Sequence, residues 1–439
     1  MNGGEVEERQ HLAAKKVAFP PNIEKIRLFL SRFIEKILKE GILMDLFDKC
    51  KEFTLAKQVQ EIGLYPYFIP LTDSEGTEAT VGDRRLIMIG SNNYLGLTMH
   101  PKVRRAAIEA TQRYGTSCTG SRFLNGTLEL HLELERRLAE FIGTEAALVF
   151  STGYQTNVGT ISALVGRGDF VVTDKDDHAS IVDGCRLAFG EMRRFRHNDM
   201  AHLERVLAGL PEDAGKLVIV DGVFSMGGDI APLPEIVSLC QEHRVRLMVD
   251  DAHSMGVLGE GRGTAAHFGL TGQVDLTMGT FSKSFASLGG FIAGSADTIH
   301  YIQHHARSLI FSASMPPAST AAALAALEVM KEEPERIARV NEIGERMRAG
   351  FRRLGFRMSN SETPIVPIII GDSMRTFQAW RMLYDAGVYT NPVISPAVPP
   401  ELSLLRTSYM ATHTDEQLDR VLAAFAEVDQ TLKLTETPV

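Results

Sequence analysis

Cysteine is scarce in this chain of 439 residues: Cys50, Cys118, Cys185 and Cys240 are the four present, far apart and without a CxxC pair. That spacing speaks against a disulfide scaffold or a cysteine zinc site and fits a reducing cytoplasm. Long apolar runs are missing as well. No stretch reaches the ~20 residues needed to span a bilayer, and the Glu- and Lys-rich N-terminus lacks the basic-then-apolar order of a secretory signal. Positive charge is in deficit, with 46 Lys and Arg against 55 Asp and Glu for a net charge of −9, which argues against nonspecific nucleic-acid binding. What is present suits a large soluble or at most peripheral protein. A hydrophobic content of 44% can bury the core of two or more domains, and a charged fraction of 23% gives no sign of disorder.

The chain is organised around residues 278–291. There Lys283 is the one lysine in a run of small, hydroxyl-bearing and apolar residues. Burial pushes an amine toward its neutral form, which is a nucleophile toward aldehydes. This is the chemistry of a Schiff-base lysine holding pyridoxal phosphate, and Thr280 and Ser282 supply hydroxyls within reach of a phosphate. The plain alternative, a lysine snorkelling from a loop, would be favoured for an isolated Ser-Lys. Its context is the apolar run 247–249 ending in Asp250, Asp251 and, two residues on, His253. A carboxylate at a strand's C-terminal end can pair with a protonated pyridine nitrogen, and His253 could reach the cofactor's phenolic oxygen. One of the two acids could simply cap the next helix, which leaves the other and His253 without an account.

The motifs that carry a family resemblance are Ser91-Asn92-Asn93-Tyr94-Leu95-Gly96-Leu97, Gly120-Ser121-Arg122-Phe123-Leu124-Asn125-Gly126-Thr127, Asp177-His178-Ala179-Ser180-Ile181, Gly222-Val223-Phe224-Ser225-Met226, Val249-Asp250-Asp251-Ala252-His253, Thr280-Phe281-Ser282-Lys283 and Ser314-Met315-Pro316-Pro317. On these the chain resembles the α-oxoamine synthases, pyridoxal-phosphate enzymes of fold type I (aspartate-aminotransferase-like). The stretches 120–127, 395–399 and 410–414 are most similar to the bacterial branch acting on L-serine and palmitoyl-CoA. The resemblance implies an α/β fold: a mainly parallel sheet of the seven-stranded type with helices on both faces, plus a smaller C-terminal α/β domain. It divides the chain into 1–64 (tail and amphipathic helices), 65–330 (cofactor-binding domain) and 331–439 (small domain).

In chain order, residues 22–40 read as a basic amphipathic helix, with apolar Ile23, Ile26, Phe29, Leu30, Phe33, Ile34, Ile37 and Leu38. It suits packing on the body of the protein or on a second subunit, or a foot on an anionic inner-membrane surface. Residues 45–70 read as another amphipathic helix and an extended segment. From 101 onward helix and strand alternate: helices over 101–114 and 128–141, strands over 146–150, 170–173 and 217–221, and a long helix from 317 to about 331. The last hundred residues read as helix, strand, helix, strand, helix, with strands at 364–370 and 404–408. The small-residue turn at Ser151-Thr152-Gly153-Tyr154 precedes a helix N-terminus, a generic anion site. Arg406 sits in an apolar strand, where it needs an acidic partner or a ligand.

By resemblance, Thr152, Gly153 and Tyr154 lie on the cofactor's phosphate side. Asp250 keeps its ring nitrogen protonated, His178 stacks on its ring and is within reach of the substrate carboxylate, Ser225 puts a hydroxyl near the ring, and Asn92 bonds cofactor or substrate. Arg406 grips the substrate carboxylate, and Ser312 reaches the phosphate from a second copy in a homodimer with shared sites. The implied reaction is a decarboxylating condensation of L-serine with a long-chain acyl-CoA, giving a 3-keto long-chain amine. Two alternatives stay open: a relative condensing glycine or alanine with another thioester, and an inactive scaffold subunit, against which the joint presence of Lys283, Asp250, His253 and His178 speaks.

Overall fold

The computed structural model describes residues 45–436, so the expected helix over 22–40 lies outside the described residues. Contact density divides the chain into two units, Met1–Tyr67 and Phe68–Val439. In the first, the expected single amphipathic helix is two short ones, Asp48–Glu52 and Leu55–Glu61. Phe53 and Thr54 separate them, and Gly63, with φ of +72°, follows the second helix and starts the extended segment.

In the second unit, strands β1 (Asp73–Glu75), β2 (Glu78–Val81) and β3 (Arg84–Met88) open the chain. The large sheet is built from β4 (Ala146–Phe150), β5 (Phe170–Asp174), β6 (Glu191–Phe195), β7 (Lys216–Asp221), β8 (Arg246–Asp250), β9 (Leu276–Thr280) and β10 (Gly290–Gly294). Its order is β4-β10-β9-β8-β7-β5-β6, parallel from β9 to β6 and antiparallel on both edges of β10. This is the fold type I architecture that the motifs imply.

Strand alternation sends successive side chains to opposite faces, and both faces are covered. Leu217, Ile219 and Met248 pack with Ile161, Ile181 and Cys185 from the helices Gly153–Leu164 and Ala179–Leu187. Val218, Val220, Leu247 and Val249 turn the other way, onto Leu203, Leu207, Ile236 and Val237. A third core joins Val149, Phe281 and Phe291 to the helices Pro101–Tyr114, Glu129–Ile142 and Pro317–Glu332. The phase of each strand therefore fixes which side its terminal residue faces.

The C-terminal part adds β11 (Ile365–Ile369), β12 (Val388–Tyr389), β13 (Asn391–Val393) and β14 (Leu404–Ser408), among the helices Glu335–Arg353, Ser373–Asp385 and Asp415–Leu432. The short β12 and β13 were not expected from the sequence, because two or three residues leave no periodicity to read. β12 pairs in parallel with β3, so the N-terminal strands complete a four-stranded sheet, and β14 is the middle strand of β11-β14-β13. Leu405 packs into the core of this region, so Arg406 faces the opposite way.

Candidate active site

Lys283 is held by its neighbours. Phe281, Ser284 and Phe285 are almost wholly buried, and the rings of Phe281, Phe285 and Phe291 cluster with centroids 5.2–6.4 Å apart. Anchors on both sides, worth about 2–3 kcal/mol each by apolar burial, keep the loop from swinging its lysine outward. The loop closes through Ser287 N–H to Phe281 C=O (2.8 Å) and Ala286 N–H to Lys283 C=O (2.9 Å), with Ala286 in the left-handed region at φ +52°.

The cavity beside Lys283 has a volume of about 270 Å³ and is walled by residues from the C-terminal ends of β7, β8 and β9, from the segment after β5 and from the 151–154 turn. Thr152, Gly153, Tyr154, His178, Asp250, His253, Thr280, Ser282 and Lys283 all line it, as expected. Asn157, Ser180 and Asp221, which were not expected, line it too.

Phase distinguishes the two adjacent acids. Asp250 is in step with Met248 and faces the helix Gly153–Leu164, where Asn157 Nδ2 donates to its Oδ2 (2.7 Å) and Ala252 N–H to its Oδ1 (3.0 Å). Asp251 turns away. It accepts from the Ser254 hydroxyl and from Thr264 N–H (3.1 Å) and Oγ1 (2.6 Å), and its burial pushes it up to about 6. Asp251 thus ties the 251–264 loop.

Burial drives the Lys283 amine down to about 8, although Asp250 and Asp221 pull it upward. Asp221 is raised well above the carboxylate range by burial and by repulsion from Asp250 and Asp177. His178 caps the helix Ala179–Leu187 and lies 2.7 Å from Ser180 Oγ, which also accepts from Asn157 Nδ2 (2.8 Å). Burial lowers its pKa, so the ring is neutral and suited to stacking. His253 is pushed well below its usual value by burial and then by the Lys283 and Arg406 charges; its Nδ1 is 2.7 Å from the Tyr94 hydroxyl.

The anion end is formed by the helix Gly153–Leu164, whose N-cap Thr152 accepts from Gln155 N–H (3.1 Å). A Cβ on Gly153 would stand 2.7 Å from Thr280 Oγ1 and 3.1 Å from Met278 Cε, so only glycine fits there without a shift. Thr280 Oγ1 and Ser282 Oγ are 2.9 Å apart. Tyr154 is nearly half exposed and donates its hydroxyl to Asp183.

Arg406 is buried, and no carboxylate among the described residues pairs with it. Its Nε donates to Ser225 C=O (2.7 Å) and Nη1 reaches Ser408 Oγ at 3.4 Å, while Nη2 has no partner. Among the described residues no structural ion pair is formed, and the Nη2 edge beside Tyr94 is left for an anion. Arg406 and three other expected residues stand off the cavity wall. Ser225 contributes its carbonyl to Arg406, Asn92 Oδ1 accepts from the Tyr94 hydroxyl (3.3 Å), and the Ser312 hydroxyl accepts from Gln155 Nε2 (2.8 Å). Among the described residues no cluster of His, Cys, Asp and Glu could hold a metal ion, and no helix is long and apolar enough to cross a membrane.

Residues 84–425 match the family model of aminotransferase class I and II. Serine palmitoyltransferase of Sphingobacterium spiritivorum is 50% identical over 384 residues, 87% of this chain and 96% of that protein. The 8-amino-7-oxononanoate synthase of Geobacter sulfurreducens is 45% identical over 383 residues, 86% of this chain and 97% of that protein. A solved structure of SPT with PLP internal aldimine aligns at a TM-score of 0.87 and 37% identity, covering 89% of this chain and all of that one. The chain belongs to the aminotransferase class I and II family and, within it, to the α-oxoamine synthases, with bacterial serine palmitoyltransferases among its near relatives.

Proposed function

We propose that the chain is a pyridoxal-phosphate-dependent acyltransferase that condenses L-serine with a long-chain acyl-CoA. Carbon dioxide and CoA are lost and a 3-keto long-chain amine is formed, the first step of sphingolipid synthesis. One observation carries the reading: a lysine depressed to about 8 shares a cavity with a buried strand-end aspartate, near an arginine that has a free buried N–H. The cofactor fits that wall. A helix N-terminus with a glycine that no Cβ could replace, and two adjacent hydroxyls, suit its phosphate, and Asp250 suits its ring nitrogen.

Pyridoxal phosphate, when bound, supplies an aldehyde for amines and a ring that accepts the electron pair released at the substrate's Cα. Thr152, Gly153, Tyr154, Thr280 and Ser282 would hold its phosphate, joined by Ser312 of a second copy in a homodimer. Asp250, oriented by Asn157 and Ala252, would keep a proton on the ring nitrogen. His178 would cover the ring face, and His253, steadied by Tyr94, would serve the phenolic oxygen alongside Ser225. Lys283 Nζ would hold the cofactor and, freed when the serine amine takes its place, would take the Cα proton and later return one to the same carbon. Arg406 binds the serine carboxylate through its free Nη2 edge, with Asn92 on the same side, so that the bond to be broken is held in place. Residues 65–330 form the cofactor domain in this reading, 331–439 bring Arg406 to it, and the protein works in the cytoplasm with residues 22–40 available to the inner membrane surface.

The identity to 8-amino-7-oxononanoate synthase favours a second reading, in which the same residues condense another small amino acid with a different thioester. Mass spectrometry of products from glycine, alanine and serine crossed with acyl-CoAs of several lengths decides between them. A serine-derived long-chain ketone as the main product is expected; its absence refutes the proposal.

A further inference from the structure

Away from the cavity wall, one side chain is bonded to both loops that carry substrate-facing groups. His197, two residues past β6, donates from Nδ1 to Asp174 Oδ1 (3.1 Å) and from Nε2 to Asp229 Oδ2 (2.9 Å). Its ring sits edge-on against Phe224, with centroids 4.5 Å apart. Asn198, in the left-handed region at φ +50°, repeats the bridge: its N–H donates to Asp174 Oδ2 and its Nδ2 to Asp229 Oδ2, each at 2.9 Å.

Each of these carboxylates shapes one loop. Asp174 is fully buried at the end of β5, where its Oδ1 accepts from Asp176 N–H (2.9 Å) and its own N–H donates to Asp177 Oδ2 (2.9 Å). Asp177 Oδ1 in turn accepts from Asp221 N–H (2.9 Å), and the turn so fixed delivers His178 to the cavity. Asp229 closes the hairpin opposite, where its C=O accepts from Phe224 N–H (3.0 Å) and Gly228 N–H donates to Phe224 C=O (2.8 Å). That hairpin places Ser225 C=O, the acceptor of Arg406 Nε. Burial alone would lower the pKa of His197. The hydrogen bonds to Asp174 and Asp229 outweigh it and raise the ring to about 10, so both nitrogens carry a proton at neutral pH; Asp176, 3.9 Å away, is the third carboxylate beside it.

We propose that His197 is a positioning residue for the amino-acid substrate, a latch that holds the His178 turn and the Arg406 anchor in register with each other. A neutral histidine could donate from only one nitrogen and would leave one of the two carboxylates held by Asn198 alone. The inference rests on the proposed reading that Arg406 binds the carboxylate of the amino acid and that His178 covers the cofactor ring to which that amino acid is joined.

Two variants of the holoenzyme test it. His197→Phe keeps an aromatic ring against Phe224 and loses both donors, whereas His197→Gln keeps one donor. Each is titrated with L-serine by the cofactor's absorbance and assayed for the KM of palmitoyl-CoA. Serine should bind roughly tenfold more weakly in His197→Phe, with a smaller loss in His197→Gln, as expected when charge-assisted hydrogen bonds are removed. The KM for palmitoyl-CoA should stay within about twofold of the parent, because no contact assigned to it runs through the latch, and cofactor content should stay within the same range, because Lys283, Asp250 and the 152–154 turn hold the cofactor from outside the latch. Unchanged serine affinity in both variants overturns the latch alone. A parallel loss of cofactor, serine and acyl-CoA binding, or failure of both variants to fold, overturns it by making His197 a general support. A parent enzyme that gives no response to serine sinks both the latch and the functional reading.

Discussion

Asp250→Asn should change two rates in opposite directions. In the apoprotein, burial pushes the Lys283 amine down to about 8 against the upward pull of Asp250 and Asp221. Removing one nearby opposite charge shifts a pKa by roughly one unit, so the Lys283 value falls below that of the parent. Near pH 7 the neutral amine then rises from about a tenth to about half of the molecules. Asp221, relieved of repulsion from Asp250, ionises more readily and offsets part of this shift. Capture of pyridoxal phosphate by the apoprotein should therefore accelerate about two- to fivefold near neutral pH. Catalysis moves the other way, since a neutral amide no longer keeps the ring nitrogen protonated. Exchange of the serine Cα hydrogen should slow by roughly 10²–10³-fold, the usual loss when one preorganised electrostatic contact is removed. The fold can absorb the change: Asn157 Oδ1 is buried without a partner, so turning that amide end for end gives the new side-chain N–H an acceptor. Stopped-flow absorbance across pH reads the first rate, and deuterium loss from Cα-deuterated serine reads the second. Slower capture together with unchanged exchange would refute the reasoning. Loss of exchange in Asp251→Asn but not in Asp250→Asn would move the role to the neighbouring acid.

Gly153→Ala should weaken cofactor retention roughly tenfold, because the new Cβ meets Thr280 Oγ1 at 2.7 Å and overpacking of this kind costs about 1–3 kcal/mol. Dialysis against buffer followed by absorbance measures it, and full retention would show that the turn does not approach the phosphate. Arg406→Met should leave the thermal midpoint of the apoprotein unchanged or higher, since it removes a buried charge without a counter-charge, yet raise the KM for serine by about two orders of magnitude; a lowered midpoint with normal KM would make Arg406 structural. Mixing inactive Lys283→Ala with an inactive Ser312→Trp chain should restore one working site per mixed dimer. No recovery after verified subunit exchange would show that Ser312 acts within its own chain.

Much of the site was legible because it uses strand ends. An apolar run ending in an acid found Asp250, a lysine among small residues found Lys283, and a small-residue turn before a helix found Thr152 and Gly153. The same signal stands at Asp221, where the apolar run of β7 ends in an acid, and it was passed over. Asn157 and Ser180 gave no signal of their own, because a polar residue near a helix start reads as ordinary until the sheet beneath it is known.

The alternation of apolar strands and amphipathic helices, together with the motifs, determined on its own that the chain is α/β with its chemistry at the carboxyl ends of parallel strands, because a strand buried on both faces can be built from few residue types. The motif register already pointed to Asp250 of the two adjacent acids; the physical reason came only with strand phase, since β8 turns Asp250 to the cavity and Asp251 away from it. The free guanidinium edge of Arg406 and the bonding of His197 to two loops were likewise set in three dimensions: their partners come from segments up to 181 residues away along the chain, a distance over which sequence spacing carries no geometric information.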